Sequence, residues 1–133
     1  MRVLVCGGRD HSNYQQVRDE LEKLLHEFDV CYNDDDYKMP DPTKITVIHG
    51  GAKGADMHAD DWAVCNWLVP EVYKADWDTH GKAAGPIRNQ QMLDTGIDLV
   101  LAFPTKNSRG TWHMVKIAKA AGVEVRVFDE VSQ

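Results

Sequence analysis

Apolar runs and helical stretches alternate along this chain. Val3-Leu4-Val5-Cys6 stops at Gly7-Gly8, Ile45 to His49 stops at a glycine-rich turn, Glu71 to Ala75 forms a third run, and Leu99 to Phe103 stops at Pro104. Each is too short for a helix, so each reads as a strand, the first of them buried. Between them the apolar period changes to that of a helix. Val17, Leu21, Leu24, Leu25 and Phe28 share one helical face, with Ser12 or Asn13 placed to cap its start. Ala55, Ala59, Trp62 and Ala63 form a second face, stopped by Pro70, and Gly85-Pro86 opens a third helix that Gly96 closes. Met114, Ile117, Ala118 and Ala121 make the fourth face, and Glu124 to Phe128 is a fifth strand.

Strand and helix in strict alternation call for an α/β fold: a Rossmann-like three-layer sandwich with a five-stranded parallel sheet. The expected strand order is 3-2-1-4-5, with the flavodoxin-like 2-1-3-4-5 as the alternative. Residues 29–44 interrupt the pattern with Asn33-Asp34-Asp35-Asp36, Pro40 and Pro42, and read as an exposed acidic loop within a single domain spanning 1–133. At 133 residues one hydrophobic core suffices. Three widely spaced cysteines, Cys6, Cys31 and Cys65, do not suggest a disulfide framework or a zinc ribbon. Cys6 and Cys65 fall in apolar patterns and are expected to be buried thiols. With no signal-peptide layout at Met1 and no apolar run of membrane-spanning length, the expectation is a cytoplasmic protein with no membrane partner.

In open α/β sheets, ligands bind beyond the carboxyl ends of the strands. The unusual polar clusters all fall there. Gly7, Gly8, Arg9 and Asp10 follow the first strand, and Gly50, Gly51, Ala52, Lys53, Gly54 and Asp56 follow the second. Asp76, Trp77, Asp78, His80 and Lys82 follow the third and lead to Arg88 and Asn89, while Ser108, Arg109, Gly110 and Thr111 follow the fourth. Glycine lets backbone N–H groups approach a phosphate closely, and a helix N-terminus adds free donors and partial positive charge. Arg9 and Arg88 are the expected phosphate-gripping side chains, the alternative being surface pairing with Asp10 or Asp94. Lys53 and Arg109 point either into the site or away from it. Neither GxxxxGK[ST] nor GxGxxG is present, which argues against kinase and ordinary dehydrogenase chemistry. The six histidines lack metal-ligand spacing, so no metal and no cofactor is expected. His80 and His113 are better placed for proton transfer. Trp77 and Trp112 suit either base stacking or packing.

These motifs, taken in order, resemble the YspA-like branch of the SLOG superfamily. The resemblance rests on Cys6-Gly7-Gly8-Arg9-Asp10, His49 to Asp56, Ala75-Asp76-Trp77, His80 to Asn89 and Ser108-Arg109-Gly110-Thr111, and spans residues 1 to about 128. SLOG domains are similar to the Lonely Guy phosphoribohydrolases and to the DNA-processing protein DprA. That implies recognition of a nucleotide or nucleotide-derived ligand, and relatives imply a homodimer or larger assembly. The PGGxGTxxE motif of the phosphoribohydrolases resembles Pro104 to Met114, with Gly110 and Thr111 retained, and their RKxxM segment resembles Arg88 to Met92. Their catalytic Glu falls on Met114, which can neither stabilise a cationic ribose nor activate water.

Three functions follow as expectations. The first is binding or sensing of a small nucleotide-like ligand through Gly7, Gly8, Arg9, Gly50 to Gly54, Asp56, Arg88, Asn89, Ser108, Gly110 and Thr111. The second is N-glycosidic hydrolysis of a nucleoside monophosphate, with Arg88, Asp76 and His80 as catalytic candidates. The third, DprA-like binding of single-stranded DNA, conflicts with a net charge of −6 and the lack of a basic, aromatic-studded groove, so nucleic acid is not the expected partner.

Overall fold

The computed structural model describes residues 1–28, 32–33, 36–37 and 41–129. Five strands, β1 (Arg2–Gly7), β4 (Thr46–His49), β5 (Glu71–Val72), β6 (Leu99–Phe103) and β7 (Glu124–Val127), form one parallel sheet in the order β5-β4-β1-β6-β7. In the sequence of sheet strands this is 3-2-1-4-5, which sets aside the flavodoxin-like alternative. β1 lies at the centre, so the turn after it stands beside those after β4 and β6.

Side chains on a strand alternate between faces, and here the alternation sorts the core into two layers. Val3, Val5, Val47, Leu99, Leu101 and Phe103 pack against Val17, Leu21, Leu24 and Leu25 of α1 (Tyr14–Phe28) and Ala55, Ala59, Trp62 and Ala63 of α2 (Ala55–Cys65). Leu4, Cys6, Ile48, Val100 and Ala102 point the other way, onto Met92 of α4 (Ala84–Asp94) and Met114, Val115 and Ala118 of α5 (Arg109–Ala120). Asn13 caps α1 by accepting from the Gln16 N–H at 3.1 Å.

Several local details differ from expectation. The third strand contains only Glu71–Val72, and Asp76 starts an additional four-residue helix, α3 (Trp77–His80), by accepting from the Thr79 N–H. That short polar turn has no apolar face to signal it. α4 begins at Ala84, which puts Pro86 in the first turn, where its missing N–H costs no helical bond. The buried face of α5 is Thr111, Met114, Val115 and Ala118, while Ala121 is exposed. Cys6 is buried as expected, and burial pushes its thiol pKa up. Cys65 is exposed instead, because α2 ends there and the chain turns back through Trp67, a left-handed residue with φ 61°. Cys31 lies outside the described residues. Of the expected acidic loop, the described part holds β2 (Tyr32–Asn33) paired antiparallel with β3 (Asp36–Tyr37), then a 3-10 turn at Pro42–Lys44 capped by Asp41. No helix among the described residues is long and apolar enough to cross a membrane.

Candidate functional site

Beyond the carboxyl ends of β1, β4 and β5 lies a cavity of about 510 Å³, within the usual range of roughly 300–1,000 Å³ for small-molecule sites. Its walls are Arg9, Gly50, Gly51, Ala52, Lys53, Lys74, Ala75, Trp77 and Arg88. Four of these carry positive charge and none carries negative charge, in a chain whose net charge is −6. Loop Gly50 to Lys53 forms the floor. Arg88 reaches over it from α4, donating from Nη1 to the Gly50 carbonyl at 2.8 Å and from Nε to Asn89 Oδ1 at 3.1 Å. Burial lowers the Arg88 pKa, the nearby Asp56 carboxylate raises it, and Arg9 lowers it again. The Arg9 guanidinium stands 5.9 Å from the centre of the Trp77 ring.

The glycine-rich loop does not offer its amides to the cavity in the expected way. Asp56 is buried, and one of its carboxylate oxygens accepts from the N–H groups of Gly50 at 3.0 Å and Ala52 at 3.2 Å. Between them, the Gly51 N–H donates to His49 Nδ1 at 3.0 Å. With Nδ1 accepting, the ring proton sits on Nε2 and is donated to Asp60 Oδ2 at 2.7 Å. His49 itself is fully buried. Three consecutive amides are therefore held from beneath by the protein's own side chains, and none of the three donates into the cavity. Desolvation raises the Asp56 pKa against the opposing pull of those amides, His49 and Arg88. Asp56 thus holds the loop in place and does not line the cavity.

The glycines divide by role. A Cβ on Gly7 would strike Ala55, and one on Gly8 would strike the Thr105 side chain, so both permit tight packing of turns and do not line the cavity. Gly54, at φ 80°, brings its turn against the backbone of Gly8 and Arg9, fixing the β4 turn to the β1 turn.

The turn after β6 stands apart from the cavity. Ser108 and Thr111 are buried, Arg109 and Gly110 are exposed, and none of the four lines the cavity. Ser108 Oγ accepts from the Thr105 N–H at 2.6 Å, and the Thr105 hydroxyl donates to Asp10. Asp10 therefore ties the first turn to the fourth and does not pair with Arg9. Asn89, also buried, donates to the Gly110 carbonyl and to His113 Nδ1, both at 3.0 Å, while receiving Arg88. It couples the fourth turn to the cavity without lining it. Asp76 caps α3, and the Thr79 hydrogen bonds hold its carboxyl below the usual range. His80 is exposed at the other end of that helix, and neither residue lines the cavity. Among the described residues no three His, Cys, Asp or Glu side chains gather in a metal-ligating group.

The sequence reading missed Lys74, whose stem runs over Gly51, and Asp60, which orients His49 from eleven residues away. Lys74 was hidden inside the run Glu71 to Ala75; because the strand stops at Val72, Lys74 falls beyond its carboxyl end.

Residues 1–80 match the model of the YspA, cpYpsA-related SLOG family. That segment carries every cavity residue except Arg88. The chain belongs to this SLOG family. It is also 38% identical over 137 residues to the Gene 61 protein of Mycobacterium phage D29, an alignment covering 97% of each chain. Membership accords with the strand order and is consistent with nucleotide-related binding or with glycosidase-like chemistry.

Proposed function

We propose that this SLOG domain binds or senses a nucleotide or nucleotide-derived ligand in the cavity above β1, β4 and β5. The observation that carries the reading is the concentration of Arg9, Lys53, Lys74 and Arg88 around one hollow with no carboxylate in its lining. Cations so close together repel one another, and an anion placed among them removes that cost. Two of the four are arginines, whose planar forks match phosphate oxygens.

The hydrolytic alternative requires a carboxylate beside the ribose. The position of the phosphoribohydrolase Glu is Met114 here, and that side chain is fully buried against the sheet. Asp56 lies behind the loop, and Asp76 and His80 lie outside the lining. These placements favour binding over cleavage.

Calorimetric and thermal-shift titration with AMP, ADP-ribose, NAD and a cyclic dinucleotide tests the reading. A ligand at a hundred times its Kd stabilises the fold by about 2.7 kcal/mol, easily seen as a rise in Tm. Binding should weaken with added salt and be lost in Arg88→Ala. Folded protein that shows neither heat nor a Tm shift with any of these at millimolar concentration refutes it. Sedimentation of the same samples tests the expected homodimer or larger assembly.

A further inference from the structure

We propose that Trp77 is a platform on which the aromatic base of the ligand stacks while the ligand's phosphate sits between Arg9 and Arg88. The inference rests on the nucleotide reading above and narrows it. The ligand recognised is a nucleotide that keeps its base, and a sugar phosphate or free phosphate satisfies only half of the site.

The wall around Trp77 is otherwise built of cations, glycines and alanines, yet this indole is 49% exposed. It is also held in place. Trp77 is the first residue of α3, whose start is fixed by the Asp76 cap. The far edge of the ring rests on α4, with its Cη2 3.4 Å from the position a Cβ would take on Gly85. A large apolar surface, fixed at one edge and open to a cavity, is what base stacking needs.

The Arg9 guanidinium stands over the ring face, 5.9 Å from the ring centre. That is a weak, solvent-accessible cation–π contact, easily exchanged for a stronger one. Arg9 also stands close enough to Arg88 for the two charges to repel. A phosphate arriving between them draws Arg9 toward it and frees the indole face, and the base of the same molecule then covers that face. Trp67 and Trp112 are exposed as well, at 95% and 45%, but neither lines the cavity.

The test compares AMP with ribose 5-phosphate, which differ in the base alone, by calorimetry on the wild-type protein, Trp77→Leu and Trp77→Phe. Stacking tolerates any base, so AMP serves as the probe. The wild type should bind AMP about tenfold or more tightly than ribose 5-phosphate, Trp77→Phe should keep at least about a threefold preference, and Trp77→Leu should reduce it to within about twofold. Circular dichroism confirms that each variant is folded. If Trp77→Leu does not fold, the wild-type and Phe ratios decide the matter. Equal binding of the two ligands by the wild type overturns the stacking proposal and leaves the phosphate site standing, as does a preference that survives in Trp77→Leu. Failure of both ligands to bind also overturns the stacking proposal, and the four-ligand titration above then decides whether the nucleotide reading stands.

Discussion

Two glycines four residues apart should respond to alanine in opposite ways. At Gly54 the backbone has φ 80°, and an added Cβ would collide with the Gly8 carbonyl oxygen while lying 2.9 Å from the carbonyl carbon and oxygen of Arg9. These are backbone atoms at the end of the central strand and cannot move aside cheaply. A strained dihedral costs about 1–3 kcal/mol and overpacking about as much again, so Gly54→Ala should lose roughly 2–6 kcal/mol. For a domain of this size that corresponds to a fall in Tm of roughly 6–20 °C. At Gly50, φ lies outside the left-handed region, and the atoms met are Nη1, Cζ and Nε of Arg88. A guanidinium on a flexible stem can swing away. Gly50→Ala should therefore give up the Arg88 bond to the Gly50 carbonyl, partly offset by about 0.4–1 kcal/mol from a less flexible unfolded chain. Its Tm should fall by less than that of Gly54→Ala. Ligand affinity should nevertheless fall about 10- to 100-fold, the worth of a charge-assisted contact of about 1.5–3 kcal/mol. Thermal melts followed by calorimetry on both variants read the two quantities. The reasoning fails if Gly50→Ala melts as low as Gly54→Ala, or if it binds ligand within about threefold of wild type.

Asp56→Ala strands the Gly50 and Ala52 amides beneath the loop and should cost about 2–5 kcal/mol by chemical denaturation, with Asp56→Asn milder because it keeps an acceptor. Because burial raises the Asp56 pKa, the folded chain holds this proton more tightly than the unfolded one. Its contribution to stability should fall as pH rises from the ordinary aspartate value to the raised one and then stay level, and denaturation across that window should lose this component in Asp56→Asn. Glu71 has the opposite sign: hydrogen bonding to Arg2 lowers its pKa, so its stabilisation is present above the ordinary glutamate value and lost as pH falls through the lowered one, an effect that Glu71→Gln should abolish. Asn89→Ala should weaken ligand binding and lower Tm together, since one side chain orients Arg88 and anchors the start of α5. Met114→Glu should unfold the domain on circular dichroism and create no hydrolase, because the new carboxylate would be buried among Leu4, Val100 and Ala102.

The sheet was legible because its strands carry their burial in their composition. Val3-Leu4-Val5 and Leu99-Val100-Leu101 are apolar on both faces, as a strand covered by helices on both sides must be. That Arg9, Lys53 and Trp77 stand on the cavity's edge was legible because each follows a strand, and a parallel sheet puts all such turns on one edge; which way Lys53 and Trp77 point was not. The inward pointing of the Gly50 to Ala52 amides was not legible. A glycine turn before a helix looks the same whether its N–H groups face a ligand or a buried aspartate, and only packing places Asp56 beneath the loop. Nor could sequence show that Thr105 would take Asp10 and that Asn89 would hold Gly110, the contacts that tie the fourth turn to the first turn and to α4.

The claim on which the rest depends is that an anionic nucleotide enters among Arg9, Lys53, Lys74 and Arg88. The most direct measurement is a two-dimensional ¹H–¹⁵N NMR titration of the labelled protein with AMP. The signals of Gly50 to Lys53 and Arg88, together with the Trp77 indole N–H, should move in a saturable way, while the Trp67 and Trp112 indoles stay still. Shifts confined to other surfaces, or none at millimolar AMP, would contradict the account.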